Sequence, residues 1–258
     1  MPVHDQDVLR SPTRQIYFHR YGEGNESYLG LHGWSGGHDT FAPLEPMVPT
    51  GHALLALDLP GFGTSTPLDL WTPDALVDAL VDALDEIDFQ GTCIGSCSGA
   101  LFGMLAAIRR PERFRRFVAL DPFAYFPWYF RLLAAPIVGP LFYKSAFANP
   151  IGRSLTNAGL REQRAEGTDM TESFQSKDHT VIYAYLRMLR SIPSYRSYAP
   201  LEVPIDVVLG KHTFGAVRRS VAMWESIWPH ARFHEVDSGH LPLEEATAHV
   251  AEILFGEG

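Results

Sequence analysis

The residue with the most chemistry to offer is Cys97, at the centre of Gly95-Ser96-Cys97-Ser98-Gly99. A short run of small and apolar residues, 91–94, precedes this segment, and a helical pattern over 100–109 follows it. Strand, G-x-nucleophile-x-G and helix make a sharp, strained turn. Its central side chain stands at a helix N-terminus, where backbone N–H groups favour negative charge. Ser96 and Ser98 flank the tip, and Cys97 is the tip. Thiols beside a histidine or at a helix N-terminus ionise readily, and a thiolate attacks acyl carbons to form a thioester. The plain alternative is that Cys97 is an inert small residue in a tight turn. A second segment, Asp237-Ser238-Gly239-His240, puts a potential proton shuttle near the C-terminus. With eleven histidines in the chain, the alternative for His240 is a surface side chain before a helix.

The elements that must position these residues alternate along the chain. Strands are expected over 14–19, 28–31, 53–57, 91–94, 117–120, 205–209 and 232–236, and helices over 100–109 and 244–255. Thr72-Pro73-Asp74 reads as a helix start, with a hydroxyl cap, a proline in the first turn and an acid at the positive dipole end. Leu76, Ala79, Leu80, Ala83, Leu84 and Ile87 then recur at helical spacing. Such alternation predicts a mostly parallel sheet covered by helices. From Phe123 to about Pro200 the pattern turns helical and aromatic, then a strand resumes at Ile205. This is read as a helical insertion, giving a core of residues 1–121 and 201–258 and a helical cap or lid over 122–200. A separate helical domain is the alternative.

The 258 residues are 46% hydrophobic and carry a net charge of -9, which argues against nucleic-acid binding, since that needs basic patches. Residues 1–14 lack the apolar core of a secretory signal, and no apolar run reaches the ~18 residues of a membrane span. The two cysteines, Cys93 and Cys97, make no disulfide framework, so a cytoplasmic setting is expected. No metal-ligand spacing and no phosphate-binding loop appears, and no cofactor is expected.

Four segments in order resemble the α/β-hydrolase fold superfamily over about residues 14–255. Leu31-His32-Gly33-Trp34 resembles the oxyanion loop, and Asp58-Leu59-Pro60-Gly61-Phe62-Gly63-Thr64-Ser65 the Gly-rich turn after the next strand. The other two are the elbow at Cys97 and the Gly-His of residues 239–240. The resemblance implies an α/β fold with a mostly parallel eight-stranded sheet flanked by helices. It gives Cys97 the nucleophile's place, His240 the base's, and the backbone N–H groups of Trp34 and Ser98 the oxyanion hole. The turn at residues 58–65 is assigned no catalysis.

Two departures from the family stand out. Cysteine replaces the usual serine, as in dienelactone hydrolases and polyhydroxyalkanoate synthases; the insertion is large for the former and the chain short for the latter. The acid is missing from its usual place after the seventh strand, where Gly210-Lys211-His212-Thr213-Phe214 stands. Asp121, after the preceding strand, is the candidate, with Asp237 or a Cys-His dyad as alternatives; an Asp-Pro turn start is its ordinary reading.

The resulting expectation is a thioesterase-, esterase- or acyltransferase-like enzyme that takes a hydrophobic acyl substrate, including one presented as an acyl-carrier thioester. The competing expectation is a ligand-binding protein that keeps the pocket without catalysis. The aromatic insertion reads as a lid, or simply as the core of a small helical layer. The stretch 128–142 lacks the basic face expected of an interfacial helix, and no integral membrane segment is expected.

Overall fold

The computed structural model describes residues 8–11 and 14–256. Most of the N-terminal stretch read above for a secretory signal lies outside the described residues. The strands are β1 (Val8–Ser11), β2 (Arg14–Tyr21), β3 (Gly24–Leu31), β4 (Gly51–Leu57), β5 (Gly91–Ser96), β6 (Phe114–Leu120), β7 (Ile205–Gly210) and β8 (Arg232–Val236). They form one eight-stranded sheet in the order β1-β2-β4-β3-β5-β6-β7-β8. β2 runs antiparallel to both β1 and β4, and the pairs from β4 through β8 are parallel.

The central strands are buried on both faces, so they read as continuous apolar runs rather than alternating ones. β4 shows how one strand serves two cores. Leu55 and Leu57 pack into the cluster beneath helices α1 (Pro73–Glu86) and α2 (Ser98–Arg109). Leu54 and Ala56 point to the opposite face, against Val250, Ala251 and Leu254 of the C-terminal helix, as the two-residue period of a strand requires.

α1 starts as its sequence predicts: the Thr72 hydroxyl accepts from the Ala75 N–H at 3.2 Å, and Pro73 opens the first turn. α2 is buried from Ser98 through Met104, which explains its lack of a polar face.

Between β6 and β7 lie α3 (Trp128–Leu133), α4 (Gly139–Phe147), α5 (Pro150–Gly159) and α6 (His179–Met188), with short 3-10 turns between α5 and α6 and after α6. α7 (Gly215–Glu225), α8 (Pro242–Glu245) and α9 (Thr247–Phe255) complete the chain. The expected single closing helix over 244–255 is two helices. Ala246, at φ -137° and ψ 38°, breaks it. Three strands run longer than expected toward their N-terminal ends: β3 from Gly24, β4 from Gly51 and β6 from Phe114. Glycine and charged residues there hide the pattern. No helix among the described residues is long and apolar enough to cross a membrane.

Candidate active site

Parallel pairing sets the first distance in the site. Ser96 at the end of β5 faces Leu120 at the end of β6, and the Cys97 N–H donates to the Leu120 carbonyl at 2.8 Å. Cys97 then turns at φ 51° and ψ -116° before α2 begins. A non-glycine residue at such a φ costs about 1–3 kcal/mol and persists only where its surroundings enforce it.

The surrounding glycines explain how the turn is enforced. A Cβ on Gly95 would lie 2.4 Å from the Ala100 Cα, and one on Gly99 would lie 2.3 Å from the carbonyl oxygens of Leu31 and His32. Strand, helix and the end of β3 therefore touch backbone to backbone. A Cβ on Gly33 would lie 3.1 Å from the Cys97 Cβ, so the backbone leading into Trp34 runs directly beside the thiol-bearing carbon.

His32 fixes that loop. It is wholly buried, its Nδ1–H donates to the Gly33 carbonyl at 2.8 Å, and its Nε2 accepts from the Leu59 N–H at 3.0 Å. Both bonds require a neutral ring of one tautomer. Burial drives its pKa down to about 4, against the opposing charge of Asp58. Sequence reading placed His32 in the oxyanion loop but missed this tether, because its partner lies 27 residues away.

The histidine at the other end of the chain arrives on the loop after β8. His240 Nδ1 lies 2.8 Å from Asp121 Oδ2. Asp121 is buried at the tip of β6 with φ 47°. Its other oxygen accepts the Gly210 N–H at 3.0 Å. Thr213 completes the group: its hydroxyl donates to Asp121 Oδ2 at 2.7 Å, and its oxygen lies 3.0 Å from His240 Nδ1. The residue that replaces the expected acid thus hydrogen-bonds the acid on the neighbouring strand. Asp237 is exposed on the surface, 3.8 Å from His212.

Burial opposes a charge on His240, but the hydrogen bonds and charges of Asp121 and Cys97 outweigh it and raise the imidazole pKa to about 10. The Phe214 ring meets the imidazole edge to face, with centroids 4.7 Å apart. The helical region reaches this loop too. The His240 N–H donates to the Gln163 carbonyl at 2.7 Å, and the Glu245 carboxylate accepts from the N–H groups of Gly239 and Ala165 at 2.5 and 2.8 Å. An open cavity of about 550 Å³ borders Thr213 and is lined also by Glu162, Gln163, His212, Gly215 and Arg218.

Around Cys97 the neighbours are aromatic. The Ser98 hydroxyl is buried and lies 3.1 Å from the phenol of buried Tyr185. Burial, and after it the charge of Cys97, raises the pKa of Tyr129 to about 12. The Trp34 indole N–H donates to the Ile182 carbonyl at 3.0 Å, and its ring packs edge-on against Phe130, Phe147 and Phe174. Among the described residues, no group of three or more His, Cys, Asp or Glu side chains is placed to hold a metal ion.

The family model for the alpha/beta hydrolase fold matches residues 29–247. The chain belongs to that family. Comparison with curated protein sequences gives no significant match. Solved structures resemble it along nearly its whole length. The enol-lactonase from Burkholderia xenovorans LB400 superposes with a TM-score of 0.76 at 17% identity, covering 96% of this chain and 98% of that one. A thermophilic esterase from Thermogutta terrifontis gives 0.74 at 16% identity, covering 96% and 95%. The thioesterase domain from the curacin biosynthetic pathway gives 0.72 at 14% identity, covering 97% and 98%.

Proposed function

We propose that this protein is an acyl hydrolase or acyltransferase that works through a thioester on Cys97. The observation carrying this reading is the contact between Asp121 Oδ2 and His240 Nδ1 at 2.8 Å, beside a cysteine held in a left-handed elbow. The raised pKa of His240 favours an imidazolium in the resting site. Such a cation pairs with a thiolate and is ready to give up a proton.

In the proposed cycle, the Cys97 Sγ lone pair attacks the acyl carbonyl carbon, and the carbonyl electrons move to oxygen. The backbone N–H groups of Trp34 and Ser98 hold that oxyanion; one such donor is worth ~2.7–4 kcal/mol in rate. The C–O or C–S bond to the leaving group breaks, and the leaving group takes the His240 proton. Water or an acceptor hydroxyl, amine or thiol then attacks the thioester and gives its proton to His240. Sγ leaves as thiolate. Asp121 orients the ring and stabilises its charge throughout.

Under this reading, residues 122–200 act as a cap over a core formed by 1–121 and 201–258. The aromatic surroundings of Trp34 suit a hydrophobic acyl group. Esters, thioesters and lactones are the substrate classes to test, in keeping with the relatives' names.

The experiment is intact-protein mass spectrometry after incubation with medium-chain acyl thioesters and esters. An acyl adduct that maps to Cys97, is discharged by added nucleophiles and is absent in Cys97→Ala supports the proposal. If no donor labels Cys97 and Cys97→Ala hydrolyses every substrate as the wild type does, the covalent route is wrong. If neither protein turns over any substrate while acyl ligands still bind, a ligand-binding protein without catalysis remains.

A further inference from the structure

The molecule carries an uneven surface. Ten large hydrophobic side chains are exposed among the described residues, and eight of them fall between Trp128 and Leu155. The strongest are Ile137 at 90%, Ile151 at 75%, Trp128 at 74%, Leu155 at 70% and Leu141 at 68% exposed. Each helix contributes for a local reason. Trp128 and Leu132 are four apart on α3, as are Ile151 and Leu155 on α5, so each pair shares a face. Ile137 and Val138 form the turn into α4, and Leu141 follows one turn on.

The inner sides of the same helices are already occupied. Tyr143 and Phe147 of α4 are buried, and both pack on Trp34. The outer residues are therefore surplus to the core.

Charge follows the same boundary. The protein has 30 acidic residues against 21 lysines and arginines, yet residues 122–161 contain Arg131, Lys144, Arg153 and Arg161 and no acid at all. The 3-10 turn after α6 adds Arg190, which donates to the Ala134 carbonyl at the end of α3 at 3.1 Å. Asp178, capping α6, is a carboxylate whose charge acts on Tyr143 of α4. The sequence window 128–142 holds a single cation, so the basic character emerges only when α3 to α6 are taken together.

We propose that the outer face of α3, α4 and α5 docks on an anionic lipid surface. Exposed aliphatic and tryptophan side chains on helices that carry cations and no acids are what an anionic membrane interface takes up, through apolar insertion and attraction to acidic headgroups. A second copy fits poorly, because a two-fold contact would set this cationic face against itself. A protein partner fits less well too. Protein hot spots favour Trp, Tyr and Arg, with Leu and Val under-represented, whereas isoleucine, leucine and valine dominate here. The inference does not depend on the role of Cys97.

The test is co-sedimentation of the full chain with phosphatidylcholine vesicles and with vesicles containing about one third phosphatidylglycerol. Binding to the anionic vesicles, weakened by salt, is expected. Ile137→Ser with Leu141→Ser should reduce it at least tenfold, since each buried aliphatic side chain is worth ~1.5–3 kcal/mol. Arg131→Gln and Lys144→Gln should each reduce it about fivefold. Tryptophan emission should shift to the blue on vesicle addition and fail to do so in Trp128→Phe, because Trp128 is the one largely exposed tryptophan of the five: Trp34 and Trp71 are half-buried, and Trp224 and Trp228 are buried. These substitutions lie on the surface, and unchanged thermal unfolding checks that the fold persists. No binding to anionic vesicles, or equal binding by the wild type and Ile137→Ser/Leu141→Ser, overturns the proposal. So does a concentration-dependent dimer that the same pair abolishes while vesicle binding stays absent.

Discussion

Cys97 and Asp121 occupy equivalent positions on neighbouring parallel strands, each one residue beyond the paired ends Ser96 and Leu120 and each at a positive φ, 51° and 47°. The sheet therefore delivers a thiol and a carboxylate side by side on one edge, and the loop after β8 brings His240 to them. Under the proposed mechanism, Asp121→Asn keeps the shape and removes the charge. Turnover should fall by up to ~10⁴, the loss seen for the equivalent change in a serine triad. His240 should also lose a main support of its raised pKa. Steady-state kinetics and imidazole NMR titration check both; wild-type turnover with a lowered His240 pKa would reduce the machinery to a dyad.

Thr213 is expected to position Asp121 and His240 rather than to react. Thr213→Val removes the hydroxyl that lies 2.7 Å from Asp121 Oδ2 and 3.0 Å from His240 Nδ1. A hydrogen bond to a charged group is worth ~1.5–3 kcal/mol, so urea unfolding at neutral pH should show a loss of that order. Thr213→Ser should restore both stability and the pH profile of turnover. Equal loss in Val and Ser variants would mean that the methyl group, and not the hydroxyl, matters.

The elbow was legible in the sequence because its constraints are local. Gly95 and Gly99 are demanded by contacts a few residues along the chain and at the end of β3, and they leave a fixed spacing around Cys97. The buried strands were legible for the same reason, since β4 is apolar on both faces. Thr213 was not legible as a hydrogen-bond partner, because its contact with Asp121 spans 92 residues and depends on β6 and β7 being neighbours. Nor could aromatic content tell Tyr143, 2% exposed, from Phe142, 45% exposed. Which side of α4 is covered depends on where Trp34 stands.

Gly99→Ala tests how tightly the elbow is built. The added methyl would sit 2.3 Å from two backbone carbonyl oxygens, of Leu31 and His32, and neither can rotate away. Overpacking of this kind costs ~1–3 kcal/mol and sometimes more. The expected outcome is a lowered melting temperature together with slower labelling of Cys97 by a thiol probe. Gly159→Ala, where nothing lies within 4 Å of the new carbon, serves as the neutral control. Equal melting temperatures for the two variants would show that the strand, the helix and the loop after β3 can separate without cost.

His32 and His240 should give stability opposite pH dependences. His32 has a folded pKa of about 4 against ~6.5 unfolded. Between those values the unfolded chain binds a proton that the folded one refuses, so stability falls as pH drops from 6.5 to 4, by on the order of 3 kcal/mol. His240 has the reverse sign. Its folded pKa of about 10 exceeds the unfolded value, so its contribution is complete below pH ~6.5 and fades as pH rises towards 10. Urea unfolding of wild type and His240→Gln across this range separates the two. The gap between the proteins should be widest below pH ~6.5 and should close on the alkaline side, while the acid-side loss due to His32 appears in both. Imidazole NMR supplies the direct reading: the His32 resonance should hold its neutral-ring position until the pH approaches 4. Titration of His32 near its unfolded pKa would mean that its ring does not bridge Gly33 and Leu59, and that the loop after β3 is held by something else.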